Sequence, residues 1–289
     1  SQKDDLALAL GTPNVRLQAP VPGKAWVGLE IPRERSEAIY LGDMLAAPCS
    51  DKAVKGKHLP LALGIDSHNA PIVLDLSELP HVLIGGKTGS GKSACLNSMI
   101  CSLIMNRTPN ELQLLMLDPK RVEFAPYAGL PHLMSPVVVE PSDAAETLEQ
   151  LIEEMLGRLK ILQTAGLRNI QAYNDRAKKP LLYIVAFVDE LADLITSEGG
   201  KTESDILRIA QLGRAAGIHL VLATQRPSVD VVPGTIPTLT HVTITGNTAL
   251  TSSMGGGAMW AMGAGVPSFT DCLISENTAP GDFSERVPQ

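Results

Sequence analysis

Aromatic residues are sparse in this chain: two tryptophans, four tyrosines and four phenylalanines are scattered through 289 residues. Binders of single-stranded nucleic acid stack bases on aromatic platforms, and no such platform is visible. Long apolar runs are also missing. The longest unbroken one, residues 181–188, falls far short of the ~20 residues that span a bilayer, and the first residues do not resemble a signal peptide. Cysteine is limited to Cys49, Cys95, Cys101 and Cys272, with no CxxC spacing, which argues against a disulfide framework and for a reducing compartment. Positive charge is outnumbered, 24 Lys and Arg against 31 Asp and Glu, for a net charge of −7. A chain of that sign does not coat nucleic acid by itself, although basic residues facing the inside of a ring are compatible with the total.

What is present is ample apolar material, 44% of the residues, in a chain longer than a usual single domain. Two regions separate. Residues 1–77 carry Pro20, Pro22, Pro32, Pro48, Pro60 and Pro71, which break any long helix. Short β-prone stretches at 25–31, 61–64 and 71–74 predict a small mixed α+β module. From residue 78 to 289 apolar strands alternate with helical patterns, with strands expected at 82–84, 112–117, 182–188, 218–223 and 242–245. In 142–162 the residues Leu148, Leu151, Ile152, Met155, Leu156 and Leu159 form one apolar stripe. Pro141-Ser142 is read as its N-cap, and Glu154 to Arg158 as an i,i+4 pair. Apolar strands alternating with helices predict an α/β fold with a mainly parallel sheet buried on both faces.

Chemistry enters at Gly86, Lys87, Thr88, Gly89, Ser90, Gly91, Lys92 and Ser93, a complete G-x-x-x-x-G-K-[ST] loop between an apolar strand and an amphipathic helix. Glycines let the backbone wrap phosphate oxygens, and the helix N-terminus points at them. Lys92 is placed for the β- and γ-phosphates and the Ser93 hydroxyl for Mg²⁺; as a loop residue, Lys92 is expected to support no core packing. The strand at 182–188 ends in Asp189 and Glu190. Asp189 is expected to hold Mg²⁺ beside Ser93, and Glu190 to take a proton from the attacking water. The strand at 218–223 runs into Thr224-Gln225, where Gln225 is a candidate γ-phosphate sensor, with an ordinary strand-end turn as the other reading. Arg214, near the end of the helical stretch 204–216, reads either as a helix C-terminal cation or as an arginine supplied to a neighbour's phosphate.

Several stretches together resemble the motor domain of the FtsK/SpoIIIE family of DNA translocases: residues 79–93, Leu117-Asp-Pro-Lys120, Gly166-Leu-Arg-Asn169 with Tyr173-Asn174, Val188-Asp-Glu-Leu-Ala-Asp193, and 214–220 running into 223–230. The resemblance covers about residues 38–237. It implies a RecA-like P-loop NTPase domain from about residue 78, preceded by the end of the family's α domain at 41–45 and 61–66. It further implies an ATP- and Mg²⁺-dependent ATPase, a ring-forming homo-oligomer, typically a hexamer, with double-stranded DNA as partner. Arg214 matches the family's arginine finger and Gln225 a polar sensor. The motor portion would be cytoplasmic, with a full-length chain anchored in the inner membrane, and the opening Ser1 is read as the start of a fragment.

The C-terminal fifth departs from the family pattern. Pro237 directly follows Gly234-Thr-Ile236 where the family places Lys-Ala-Asn; Ala249-Leu-Thr251 stands for Asp-Ser-Arg, and Gly263-Ala-Gly-Val266 for Gly-Asp-Met-Leu. The family's winged-helix γ module is not in the sequence. Two other readings therefore stand beside the DNA motor: a protein-secretion or conjugation-type ATPase, which the acidic charge favours, and a nucleotide-binding assembly subunit that hydrolyses weakly.

Overall fold

The computed structural model describes residues 2–12, 16–18, 26–30, 40–42, 54–65, 71–86, 91–198, 200–225 and 258–262. The chain divides into two compact units, Ser1–Ala38 and Ile39–Gln289. The first contains helix α1 (Gln2–Ala9) and the short antiparallel pair β1 (Arg16–Gln18) and β2 (Gly28–Glu30).

The second unit opens with an antiparallel hairpin, β3 (Pro60–Ile65) and β4 (Pro71–Asp75). Each strand starts on a proline, a position where the missing N–H costs least. The expected module ending near residue 77 therefore straddles the division into units. The hairpin's Leu61 and the flanking Leu59 and Leu76 are fully buried in the main core. Ser102 fastens it there, donating to Pro60 O (2.9 Å) and accepting from Ala62 N (3.1 Å).

The main sheet has the order β6-β7-β8-β5-β9. Strands β5 (His81–Gly85), β6 (Leu112–Leu117), β7 (Tyr183–Val188) and β8 (Ile218–Thr224) run parallel. The fifth, β9 (Ala258–Met262), pairs antiparallel with β5 at the edge. Four strands thus form where expected. The strand expected at 242–245 lies outside the described residues, and β9 was not expected: Ala-Met-Trp-Ala-Met has no β-branched residue to signal a strand.

Alternation along the strands explains the unbroken apolar runs. Val82, Ile84, Leu114, Met116, Val185, Phe187, Val221 and Ala223 face one side, with α2 (Lys92–Asn106) and the hairpin packed over them. Leu83, Leu115, Leu117, Ile184, Ala186, Val188, Leu220 and Leu222 face the other. There they meet α3 (Pro141–Thr164), α5 (Leu191–Glu198) and α6 (Gly200–Ala216). A period-2 strand covered on both faces has no polar side to display. The short α4 (Ile170–Asn174) precedes β7, capped by Asn169, whose side chain accepts from Ala172 N.

Two details of α3 differ from expectation. Glu140 is the N-cap and Pro141 the first helical residue, so Ser142 caps nothing; proline's fixed φ and missing donor suit that first position. Leu156 is exposed, and Arg158, which the expected stripe did not include, is buried in its place among the covered residues of α3. Arg158 pairs with Glu154 at 2.7 Å as expected. It is also buried, donating to Leu182 O (2.7 Å) and Ala216 O (3.1 Å), and so ties α3 to the starts of β7 and β8. Gly217 makes the turn from α6 into β8 with φ +70°, and a Cβ there would collide with Ile170.

At the amino ends of β5 and β8, His81 and His219 are buried together. His219 Nδ1 donates to Pro80 O (2.7 Å), and His81 Nδ1 accepts from Leu220 N (3.0 Å). Burial, with the neighbouring imidazole, pushes His81 down to about 3; burial, with the Arg214 charge, pushes His219 down to about 4. An unfolded histidine takes up its proton near pH 6.5, while these stay neutral in the fold. Their stabilisation is therefore complete above about pH 6.5 and is lost as pH falls toward 4. By pH 5 each costs about 2 kcal/mol. Thermal melts between pH 7 and 5 are expected to show that decline, and His219→Gln to halve its slope. A melting temperature flat across the window would contradict neutral burial.

Candidate nucleotide-binding site

The site residues collect at the carboxyl ends of β5, β6, β7 and β8, where parallel α/β sheets bind ligands. Residues 87–90 of the glycine-rich loop, Lys87, Thr88, Gly89 and Ser90, lie outside the described residues. Its two ends are described. Gly86 N donates to Thr224 O (3.1 Å), and Gly91 takes φ +86° as the N-cap of α2. Only glycine adopts that left-handed conformation without cost. It provides no side-chain cap, so the first amides of α2 have no side-chain acceptor from their own N-cap.

Lys92, on the first turn of α2, is buried. Its ammonium lies 2.5 Å from Asp189 Oδ1 and 2.7 Å from Asp189 O. The expectation that Lys92 has no packing role is thereby corrected: it is one half of a buried ion pair. Burial holds the Asp189 carboxyl above the usual carboxylate range, against the opposing bond and charge of Lys92. The adjacent Ser93 hydroxyl donates to the Glu123 carboxylate.

Glu190 follows Asp189 just past the end of β7 and is 2% exposed. Its Oε1 accepts from Thr224 Oγ1 (2.8 Å) and from Gln225 N (3.1 Å). Oε2 accepts from Lys120 Nζ (2.9 Å) and lies 3.3 Å from Gln225 N. Burial would raise this carboxyl, but Lys120, Thr224 and Gln225 outweigh it and hold it low. Lys120 also lies 3.7 Å from Asp193; burial would lower its ammonium, but Glu190, with Asp193 and Asp189, outweighs that and raises it. Asp118, at the end of β6, is fully buried and accepts from Phe124 N through Oδ2 (2.9 Å), which fixes the bend of the 118–124 segment.

The structure therefore brings Lys92, Ser93, Asp189, Glu190 and the Gln225 backbone together. It keeps Arg214 apart. Arg214 is exposed at the end of α6, beside the buried histidines, at the opposite end of β8 from Glu190. Sequence reasoning assigned no role to Lys120, Glu123, Thr224 or Asp193. A signal for the location of Lys120, though not for its contact with Glu190, was available: Leu117-Asp-Pro-Lys120 directly follows a parallel strand, and such carboxyl-end loops build α/β sites.

The donors fit a magnesium-bound nucleotide. Ser93 Oγ and the Asp189 and Glu123 carboxylates are all hard oxygen ligands, suited to Mg²⁺ rather than a thiophilic metal. The α2 N-terminus and the Lys92 ammonium suit phosphate. A phosphate-loop lysine and paired acids at the carboxyl edge of a parallel sheet, with helices over both faces, define a RecA-like P-loop ATPase.

Comparison with known proteins narrows the class. The FtsK/SpoIIIE family model matches residues 50–229, and the FtsK alpha domain model matches residues 1–33. The chain belongs to the FtsK/SpoIIIE family. It is 45% identical over 243 residues to a DNA translocase FtsK of Halalkalibacterium halodurans, covering 81% of this chain and 30% of that protein. It is 44% identical over 237 residues to the FtsK of Caldanaerobacter subterraneus subsp. tengcongensis, covering 82% and 33%. The chain thus spans about a third of the length of these curated relatives. Among solved structures, the pCW3 conjugation coupling protein TcpA with ATPγS is similar at TM-score 0.55 and 26% identity, covering 80% of this chain and 65% of that one. The cytoplasmic domain of the Thermomonospora curvata type VII secretion ATPase EccC is similar at TM-score 0.53 and 26% identity, covering 61% and 22%. The alpha-domain match lies within residues 1–77, the region read from the sequence as the small N-terminal module, with 41–45 and 61–66 read as the end of that domain. The altered residues after Gly234 lie beyond the matched 50–229 and outside the described residues.

Proposed function

We propose that this chain is an ATP-hydrolysing motor that moves double-stranded DNA through a homo-oligomeric ring, a hexamer by the family's pattern, on the cytoplasmic side of the cell. One observation carries the reading: a convergent hydrolytic set, Lys92, Ser93, Asp189 and Glu190, in a chain 45% identical to a DNA translocase. Lys92, Ser93 and the 86–91 loop would hold the triphosphate, with Asp189 beside Ser93 for the metal. Mg²⁺, when bound, supplies charge neutralisation on the β- and γ-oxygens. Glu190 takes a proton from water as that water's oxygen bonds the γ-phosphorus and the bond to the β-phosphate oxygen breaks, its electrons leaving with ADP. Gln225 stands where the γ-phosphate can be sensed, and Arg214 serves a neighbouring subunit. No helix among the described residues is long and apolar enough to cross a membrane.

The test is DNA-stimulated ATP turnover. Duplex DNA is expected to accelerate hydrolysis without sequence preference, through phosphate contacts. Binding that engages 6–10 phosphates should weaken about 10³–10⁵-fold between 50 and 200 mM salt. Salt-insensitive binding, or a preference for single strands, would overturn the assignment. The second reading, a secretion or conjugation-type ATPase, is favoured by the likeness to EccC and TcpA. It would be supported by stimulation from a polypeptide instead of DNA. Binding without turnover under either stimulus would leave the weakly hydrolysing assembly subunit.

A further inference from the structure

Glu190 lies two residues past the carboxyl end of β7, which sits between β6 and β8, so its carboxylate is gripped from both neighbouring sides. From the β8 side come Thr224 Oγ1 and the Gln225 amide. From the β6 side comes Lys120 alone, 2.9 Å from Oε2. The same ammonium is 3.7 Å from Asp193, on the first turn of α5. The environments are graded: the side chains of Glu190, Lys120 and Asp193 are 2%, 36% and 51% exposed.

We propose that Lys120 is a positioning residue for Glu190, and that Asp193 is its second seat, toward which Lys120 shifts while Oε2 accepts the proton of the attacking water. The proposal rests on Glu190 being the base. Oε1 holds the hydroxyl bond and the shorter amide bond; Oε2 holds Lys120 and the longer one. A single side-chain movement therefore opens a lone pair on Oε2 and leaves Oε1 anchored. Removing the cation altogether would leave a buried, uncompensated carboxylate. A seat on Asp193 keeps the positive charge near the buried Glu190 carboxylate, so the cation is not removed altogether. Lysine suits the task, being a compact charge on a flexible stem. The exposure of Asp193 keeps that seat weak, so the shift is reversible.

The experiment measures kcat, the affinity for a fluorescent ATP analogue, and melting without nucleotide. Lys120→Met is expected to lower kcat about ten-fold, a fraction of the 10²–10⁴ a general base contributes, with analogue affinity unchanged. Lys120→Arg should restore most of it. Asp193→Asn should lower kcat about 2–5-fold, the scale of an exposed ion pair, and have no effect in the Lys120→Met background. In melts, Lys120→Met and Glu190→Gln together should cost less than their separate effects combined. Analogue affinity falling in step with kcat would make Lys120 a phosphate ligand and overturn the proposal. An equal Asp193→Asn effect in both backgrounds, or additive melts, would overturn it too. A chain that binds the analogue but does not hydrolyse ATP, with melt coupling intact, sinks the base assignment and this proposal with it. Additive melts in a hydrolysing chain sink this proposal alone.

Discussion

Glu190→Gln is expected to keep nucleotide and lose turnover by about 10²–10⁴-fold, the usual contribution of a positioned general base. Glutamine has the same length and keeps an oxygen for Thr224 Oγ1 and Gln225 N, so the β8 side of the cradle survives. Asp189 and its bond to Lys92 are untouched, which preserves the residues expected to hold phosphate and metal. Lys92→Ala should behave differently. It removes the cation from a buried carboxylate, a change that costs about 3–5 kcal/mol in comparable buried pairs. That variant should lose nucleotide affinity and also melt earlier, and restoring charge with Lys92→Arg should recover stability better than binding. Equilibrium nucleotide titration and urea unfolding on the same samples separate the two outcomes. Equal loss of binding in both variants would mean that the roles of the lysine and the glutamate are wrongly divided. An unchanged ATPase rate in a folded Lys92→Ala chain would sink the phosphate-loop assignment altogether.

The legible parts of this protein are those governed by local pattern. Apolar strands such as Tyr183–Val188 announce themselves because a sheet covered on both faces leaves no polar positions to confuse the period. The phosphate loop and the Asp189-Glu190 pair are legible for a related reason: their chemistry needs fixed residue types at fixed spacing just after a strand. Roles created by strand order are not legible. Lys120 reaches Glu190 only because β6 lies beside β7, a neighbourhood that spacing along the chain does not reveal. The His81–His219 pair arises in the same way, from two residues far apart in number whose rings come within 6.2 Å because β5 pairs with β8. Lys92 read as a loop residue because the sequence gives no sign that Asp189 will stand 2.5 Å from it. The hairpin's place in the core was likewise hidden, since its attachment runs through Ser102, a small polar residue on α2 that looks unremarkable in the sequence.

Arg214→Ala is expected to reduce turnover by about 10³–10⁵-fold in a uniform ring, as an arginine at the developing phosphoryl charge typically contributes. The fold argues that any such contribution crosses a subunit boundary. Arg214 precedes the amino end of β8, whereas Thr224 and Gln225 at the carboxyl end touch Glu190. At ~3.3 Å per residue the strand sets the two about 20 Å apart, beyond the reach of an arginine side chain. Within its own subunit the residue is left with two structural roles: a cation near the C-terminus of α6 and a charge beside the two buried histidines. Mixing decides between these and action in trans. Arg214→Ala subunits retain an intact Glu190, and Glu190→Gln subunits retain an intact Arg214. Each is expected to be inactive alone. In a mixed ring, an Arg214→Ala subunit can receive the arginine of a Glu190→Gln neighbour at its own intact base, so part of the activity should return. Recovery should rise with the fraction of mixed boundaries and vanish under conditions that prevent assembly. Mixed rings that demonstrably form yet stay inactive would reduce Arg214 to its structural roles. In that case Arg214→Ala should shift melting in the pH 7 to 5 window, through the histidines it faces.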